Sequence, residues 1–230
     1  MRGVSQRRTL AIVILVVLFG SAGVVNLIPW NTYESPFQWG VEVGEELLYS
    51  IEVSVTESGY PYGDTCRQFL GLDGEQIIVT ITELPNVTGP ITEETFLSNV
   101  ILDQKITCRF SNGSAIPQIF IQALKNPISQ SLLPIGGWEL MDTLFLDVFP
   151  SVDWSELDTS RHYVGSRTEE RFYFASRELY SIWPNVASEK WEGWSDFDSG
   201  IPFEAQYTEV YPSCTYQYTL VLNLIYSGPY

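Results

Sequence analysis

The stretch Tyr216–Tyr226, YQYTLVLNLIY, decides the fold class. Tyr216, Tyr218, Leu220, Leu222, Leu224 and Tyr226 share one parity, and Thr215, Gln217, Thr219 and Asn223 hold the other. Successive side chains of a strand point to opposite faces, so this pattern predicts a β-strand with one buried face. Ser227-Gly228 ends it. Working outward, the same period recurs. In Leu47–Val55 the odd positions Leu47, Tyr49, Ile51, Val53 and Val55 are apolar, while Ser50, Glu52 and Ser54 are polar. Gln76–Leu84, QIIVTITEL, is rich in β-branched residues and sets Ile77, Val79 and Ile81 against Thr80 and Thr82. Gln104–Phe110 places Ile106, Cys108 and Phe110 on one face, and Glu170–Ala175 alternates Phe172 and Phe174 with Arg171 and Tyr173. Lys190–Phe197 and Phe203–Tyr211 flank a tight turn at Ser199-Gly200. A further turn falls at Ser111–Ser114, and Asp73-Gly74 predicts a hairpin between Arg67–Leu72 and Gln76–Leu84.

The middle of the chain changes period. Trp138, Met141, Phe145 and Val148 recur at near-helical spacing, predicting an amphipathic helix over Trp138–Phe149, stopped by Pro150. Shorter helices are expected at Gln118–Lys125, at Ser151–Asp158, and between Pro90 and Asn99 with Thr92 as cap. Strands with one apolar and one polar face belong to antiparallel sheets, and nothing alternates strand with helix as a parallel α/β sheet requires. The expectation is a mainly β (α+β) domain: an antiparallel sheet, sandwich or half-barrel of about eight strands with one or two mid-chain helices.

A different segment precedes this domain. Arg2, Arg7 and Arg8 are followed by LAIVILVVLFGSAGVV over Leu10–Val25, continuing to Trp30. Leu10–Trp30 has the ~20 apolar residues that a spanning helix needs, and Trp30 and Tyr33 suit the outer interface. Gly20 and Ala22 also permit signal-peptide cleavage after Ala22. Residues 1–31 are therefore expected to be a signal peptide or a signal-anchor transmembrane helix. Residues 32–230 are then the exported domain, on the extracytoplasmic side of the cell membrane, or secreted if cleavage occurs.

The whole chain carries 12 basic and 28 acidic residues, and three of the basic ones precede the apolar run. From Glu34 onward nine basic residues face 28 acids, a net charge of −19. Such a surface stays soluble and offers no basic face to nucleic acid. Cys66, Cys108 and Cys214 all lie in the exported part, where a disulfide among them is permitted; three cysteines allow three pairings and leave one thiol over. Asn86-Val87-Thr88 and Asn112-Gly113-Ser114 are N-glycosylation sequons.

Chemistry-bearing motifs are sparse. A single histidine, His162, argues against histidine metal sites and histidine-dependent triads. The chain contains no phosphate loop, dinucleotide fingerprint, nucleophile elbow or zincin motif, so neither an enzyme nor a cofactor is implied. Asp196 and Asp198 form a D-x-D-x-G fragment as calcium loops do, but Ile201, Pro202 and Phe203 occupy the positions of further oxygen ligands. A hairpin turn capped by aspartate fits better. The adjacent glutamates at 45/46, 93/94 and 169/170 point opposite ways on a strand and form no acid–base pair. Trp183, Trp191 and Trp194 are candidate ligand-binding aromatics, as a sugar platform or the wall of an apolar pocket. Trp191 and Trp194 have opposite parity, which separates them on a regular strand.

WGVEVGEELLYSIEV at Trp39–Val53, ITELPN at Ile81–Asn86, NGSAIP at Asn112–Pro117, LLPIGGWELM at Leu132–Met141 and GWSDFDSGIP at Gly193–Pro202 carry a resemblance. Together they resemble uncharacterised archaeal cell-surface proteins with a membrane-targeting start and one β-rich exterior domain. The matching motifs are turns and strand starts, so the resemblance implies fold and location rather than an activity. At fold level the chain also looks like half-barrel lipoprotein-carrier domains. Two functions are expected on this basis: a membrane-tethered surface or interaction domain meeting a protein, glycan or lipid partner, or a carrier of an apolar small molecule in a concave sheet.

Overall fold

In a computed structural model of the chain, the described residues are 37–57, 68–87, 91–101, 105–145, 161–182, 185–211 and 216–228. They form eight antiparallel strands in one sheet: β1 (Glu46–Glu57), β2 (Gln76–Glu83), β3 (Lys105–Phe110), β4 (Arg161–Arg167), β5 (Arg171–Ile182), β6 (Asn185–Asp196), β7 (Pro202–Tyr211) and β8 (Tyr216–Gly228). The order across the sheet is β3-β2-β1-β8-β7-β6-β5-β4. Two antiparallel meanders, β1 to β3 and β4 to β8, are thus sewn together by the first and last strands. That seam runs twelve pairs from Glu46↔Gly228 to Glu57↔Tyr216. Among the described residues there is one sheet, not the two of a sandwich.

The alternating residues fall as the period requires. Leu47, Tyr49, Ile51, Ile77, Val79, Ile81, Phe172, Phe174, Trp191, Ala205, Leu220 and Leu222 are buried on one face of the sheet. Three helices cover that face. Helix α1 (Glu93–Phe96), continued by a π turn at Leu97–Ile101, buries Phe96, Val100 and Ile101. Thr92 caps it as expected: its hydroxyl accepts from the Thr95 amide at 3.2 Å, and the Thr95 hydroxyl accepts from the Thr92 amide at 2.9 Å. Helix α2 (Gln118–Ser131) packs on β3, β6, β7 and β8. Helix α3 (Trp138–Leu144) packs on β4.

Four expectations are corrected. The partner of β2 across the Asp73-Gly74 turn is β1, not Arg67–Leu72. Residues 68–70 form a helical turn instead, because Phe69 and Leu72, three apart, are both buried while Gln68 and Gly71 are exposed. Helix α2 is longer than Gln118–Lys125 and runs through Pro127, its last five residues all buried. Helix α3 closes at Phe145 rather than running on, its carbonyl accepting from the Gly165 amide of edge strand β4 at 3.3 Å, and residues 146–149 of the expected helix lie outside the described residues. Finally, Tyr226 does not share a face with Leu224. The β1–β8 register passes from Tyr49↔Leu224 to Leu48↔Tyr226, leaving Ile225 as an extra residue; this bulge puts Tyr226 opposite Leu48 on the other face, 44% exposed.

Close contact between α2 and the sheet depends on Gly193. A Cβ there would overlap the Ser131 side chain, and the neighbouring Ser195 hydroxyl donates to the Ser131 carbonyl. The C-terminus of α2 is thereby pinned to β6. Among the described residues no helix is long and apolar enough to cross a membrane. The expected span Leu10–Trp30, the cleavage site at Ala22 and the expected helix at Ser151–Asp158 lie outside the described residues.

Candidate functional site

The outward face of β5, β6, β7 and β8 carries a hydrogen-bonded polar constellation. On β6 this face presents Lys190, Glu192 and Trp194 in succession; across from them are Thr208, Gln206 and Glu204 of β7. Thr219 of β8 is the partner of Thr208, and Tyr173 of β5 is the partner of Trp194. Period-2 alternation puts these side chains on one face, and the strand register brings them together, because directly opposed antiparallel neighbours lie about 5 Å apart.

The groups are held in place. The Glu192 carboxylate is 14% exposed; it accepts from the Tyr173 hydroxyl at 2.6 Å and pairs with the Lys190 ammonium at 2.7 Å. Burial raises the pKa of Tyr173, and the Glu192 charge and hydrogen bond raise it further, so the phenol stays a donor to the carboxylate. The Gln206 amide donates to Glu204 at 2.7 Å, and the hydroxyls of Thr208 and Thr219 lie 3.1 Å apart. A groove of about 330 Å³ runs over Lys190, Glu192, Gln206, Thr208 and Thr219. Outside the groove, at the next outward position of β6, the Trp194 ring lies 5.1 Å from that of Tyr173 at a tilt of 53°. Beyond them a bulge in β7 leaves Phe203 as the extra residue between Ser195↔Pro202 and Trp194↔Glu204, and the Arg171 guanidinium sits 4.5 Å over its ring.

Trp191 lies on the opposite face, 1% exposed, packed against Phe174 and Tyr163 at 5.7 and 6.1 Å. It and Trp194 form no common platform. Trp183 lies outside the described residues. Three buried side-chain polar atoms among the described residues have no hydrogen-bond partner: Trp191 Nε1, Ser176 Oγ on the paired position of β5, and Gln130 Oε1 on α2. On the same face as Trp191, Glu189 of β6 stands opposite Glu209 of β7, and both make further interactions.

Asp196 and Asp198 do not converge. One Asp196 carboxylate oxygen accepts from the amides of Asp198 and Ser199 at 3.0 and 2.9 Å and from the Ser199 hydroxyl at 2.9 Å. It caps the β6–β7 turn, while the Asp198 side chain is exposed. No group of three or more potential metal ligands is present among the described residues. Asn86 and Asn112 are both exposed; the Asn112 side-chain oxygen accepts from the Ser114 amide at 2.8 Å within its turn.

Cys108 is a free thiol on the inner face of β3, and Cys66 and Cys214 lie outside the described residues. Burial pushes its pKa up from 9.0 to about 12, against an opposing pull from Lys125. A thiol with that pKa is no nucleophile at neutral pH. The raised value has a stability consequence. The folded chain keeps the proton that the unfolded chain loses, so the contribution is fully present below pH 9 and disappears as pH rises through 12. Cys108→Val is expected to move the midpoint of alkaline unfolding, followed by circular dichroism, to higher pH. An unchanged midpoint would place the alkaline sensitivity elsewhere, Tyr49 being the next group, since burial also raises its pKa.

Fold and face together define a class: a single antiparallel sheet of eight strands, helices on one side and an ordered polar–aromatic groove on the other. No protein-family model, curated protein or solved structure matches the chain.

Outward positions on β6 and β7 were readable only as a solvated face. Lys190, Glu192, Gln206 and Glu204 follow the alternation of any wet strand surface; only the β5–β8 register brings Tyr173 and Glu192 into contact.

Proposed function

We propose that the chain is a membrane-tethered exterior domain, of the kind its sequence motifs resemble, that presents the outward face of β5–β8 as an interaction surface. The observation that carries this reading is the contrast between the two faces. The inner face is packed with Tyr49, Phe96, Phe172, Phe174 and Leu124, each fully buried, whereas the outer face keeps ordered polar groups in an open groove. The tether is the Leu10–Trp30 segment, and sequons at exposed Asn86 and Asn112 are accessible to glycosylation on that side. A full-length chain with a C-terminal epitope is expected to fractionate with membranes and resist alkaline extraction. Protease added to intact cells should remove the epitope. Recovery of the chain in the medium, or an epitope protected in intact cells, would overturn the reading.

A second reading rests on a separate observation. Helix α2 packs on β3, β6, β7 and β8, with its C-terminus held on β6, an arrangement that a half-barrel closed by a helix would share. Trp191 Nε1 and Ser176 Oγ on the sheet and Gln130 Oε1 on α2, each buried without a hydrogen-bond partner, favour a carrier of a mainly apolar small molecule that brings a polar atom to one of them. Native mass spectrometry of the chain released from detergent tests it: an extra mass lost on denaturation supports the carrier, and a bare or merely glycosylated mass removes it.

A further inference from the structure

We infer that the groove on the outward face of β6, β7 and β8 binds a saccharide that reaches past the groove onto the adjoining Trp194–Tyr173 ring pair; this rests on the reading of that face as the interaction surface. The first argument is hydrogen-bond chemistry. Along the groove Glu192 only accepts, Lys190 only donates, and Gln206, Thr208 and Thr219 do both. A ligand that satisfies such a mixture must itself donate and accept at closely spaced points, as vicinal hydroxyls do.

Charge narrows the class. Lys190 and Glu192 neutralise each other at 2.7 Å, and Glu204 is already engaged by Gln206 at 2.7 Å. The groove therefore has no uncompensated cation to hold an anion such as phosphate. A neutral polyol exchanges hydrogen bonds with the pair without separating it.

Preorganisation is the third argument. Glu192 is fixed by the Tyr173 hydroxyl and the Lys190 ammonium, which both donate to its Oε2 from strands rather than loops. Polar groups held in this way lose little freedom on binding. The volume of about 330 Å³ lies at the small end of the ~300–1,000 Å³ range of small-molecule sites. The aromatic pair continues directly from it, since Trp194 is the next outward residue of β6 after Glu192. A tilted ring pair offers a flat face to the C–H side of a pyranose while the hydroxyls meet the polar strip.

A protein partner fits less well. Protein interfaces are anchored by large apolar or aromatic side chains at their centre. Among the described residues the exposed large apolar side chains are Val43, Leu70, Ile119, Ile225 and Tyr226. All lie on other elements or at the far end of β8 from Thr219.

The test uses the full chain in detergent micelles and a panel of neutral sugars: glucose, galactose, mannose, N-acetylglucosamine and their common disaccharides. Saturation-transfer NMR is expected to give saturable binding for at least one of them, with strongest transfer to ring protons on one sugar face. Trp194→Ala should weaken binding at least tenfold and remove that pattern. Thr208→Val, which keeps a β-branched strand residue, should weaken it several-fold with unchanged far-ultraviolet circular dichroism. No transfer from any sugar, or binding indifferent to both variants, would overturn the assignment. If the panel fails while protease still removes the epitope from intact cells, only the ligand class falls and the surface-display reading stands.

Discussion

Gly200→Ala is expected to destabilise the domain by more than about 4 kcal/mol, an exceptional loss for one methyl group. Two costs combine. Gly200 has φ +72, where an L side chain is strained by roughly 1–2 kcal/mol. In addition, a Cβ at this position would overlap the Leu133 carbonyl oxygen. That oxygen is backbone, so no rotamer change relieves the clash. The contact is itself part of a backbone tie: the Leu133 amide donates to the Gly200 carbonyl at 2.9 Å, and Gln38 and Ile135 exchange hydrogen bonds at 3.0 and 2.7 Å. The β6–β7 turn, the segment between α2 and α3 and the segment before β1 meet there, and the extra atom pushes all three apart. Gly74→Ala is the control. Gly74 has φ +79 with open space where the Cβ would go, so only strain is added, about 1 kcal/mol. Thermal melts should separate the two, since at this size 1 kcal/mol shifts the midpoint by about 2–4 °C. A Gly200→Ala midpoint as close to wild type as that of Gly74→Ala would show that the tie yields.

Seven of the eight strands were legible because each is local: alternation in Leu47–Val55, Gln76–Leu84 and Tyr216–Leu224 needs no knowledge of partners, whereas β4 (Arg161–Arg167) was not singled out. Turns and the Thr92 cap were legible for the same reason, being set by two to four neighbouring residues. What escaped was set by distant contacts. The pairing of β1 with β8 joins residues some 170 positions apart, and neither strand's pattern names the other. The passage of α2 through Pro127 runs against proline's cost of about 3 kcal/mol in a helix interior. Burial of every residue from Pro127 to Ser131 outweighs it, the Ser131 hydroxyl donates to the Pro127 carbonyl, and the missing Cβ of Gly193 makes the approach fit. Ser129, Gln130 and Ser131 read as a polar helix end, yet they are buried against the sheet. The bulge at Ile225 is invisible in sequence because Ile225 and Tyr226 each suit a strand. The outward groove escaped for the reason that hides most surface sites: polar residues at wet positions become a site only through register.

Trp191 separates packing from unused polarity. Trp191→Ala is expected to cost about 3–5 kcal/mol, the range for truncating a large buried aromatic. The ring is 1% exposed, it touches Phe174 and Tyr163, and Tyr207 and Ser176 stand opposite it on the neighbouring strands. Trp191→Phe keeps the aromatic contact with Phe174 and Tyr163 and deletes Nε1, a buried donor with no partner. A buried donor left unsatisfied costs about 1–3 kcal/mol, so its removal offsets part of the lost volume, and the net loss should stay under about 2 kcal/mol. Ser176→Ala removes the neighbouring partnerless hydroxyl and is expected to be neutral or stabilising. Chemical denaturation with all three variants gives the comparison. If Trp191→Phe lost as much as Trp191→Ala, and Ser176→Ala were destabilising as well, then the indole N–H and the hydroxyl would both be at work in the native molecule. The packed inner face would then be a site that holds a polar atom, and weight would pass from the surface module to the carrier.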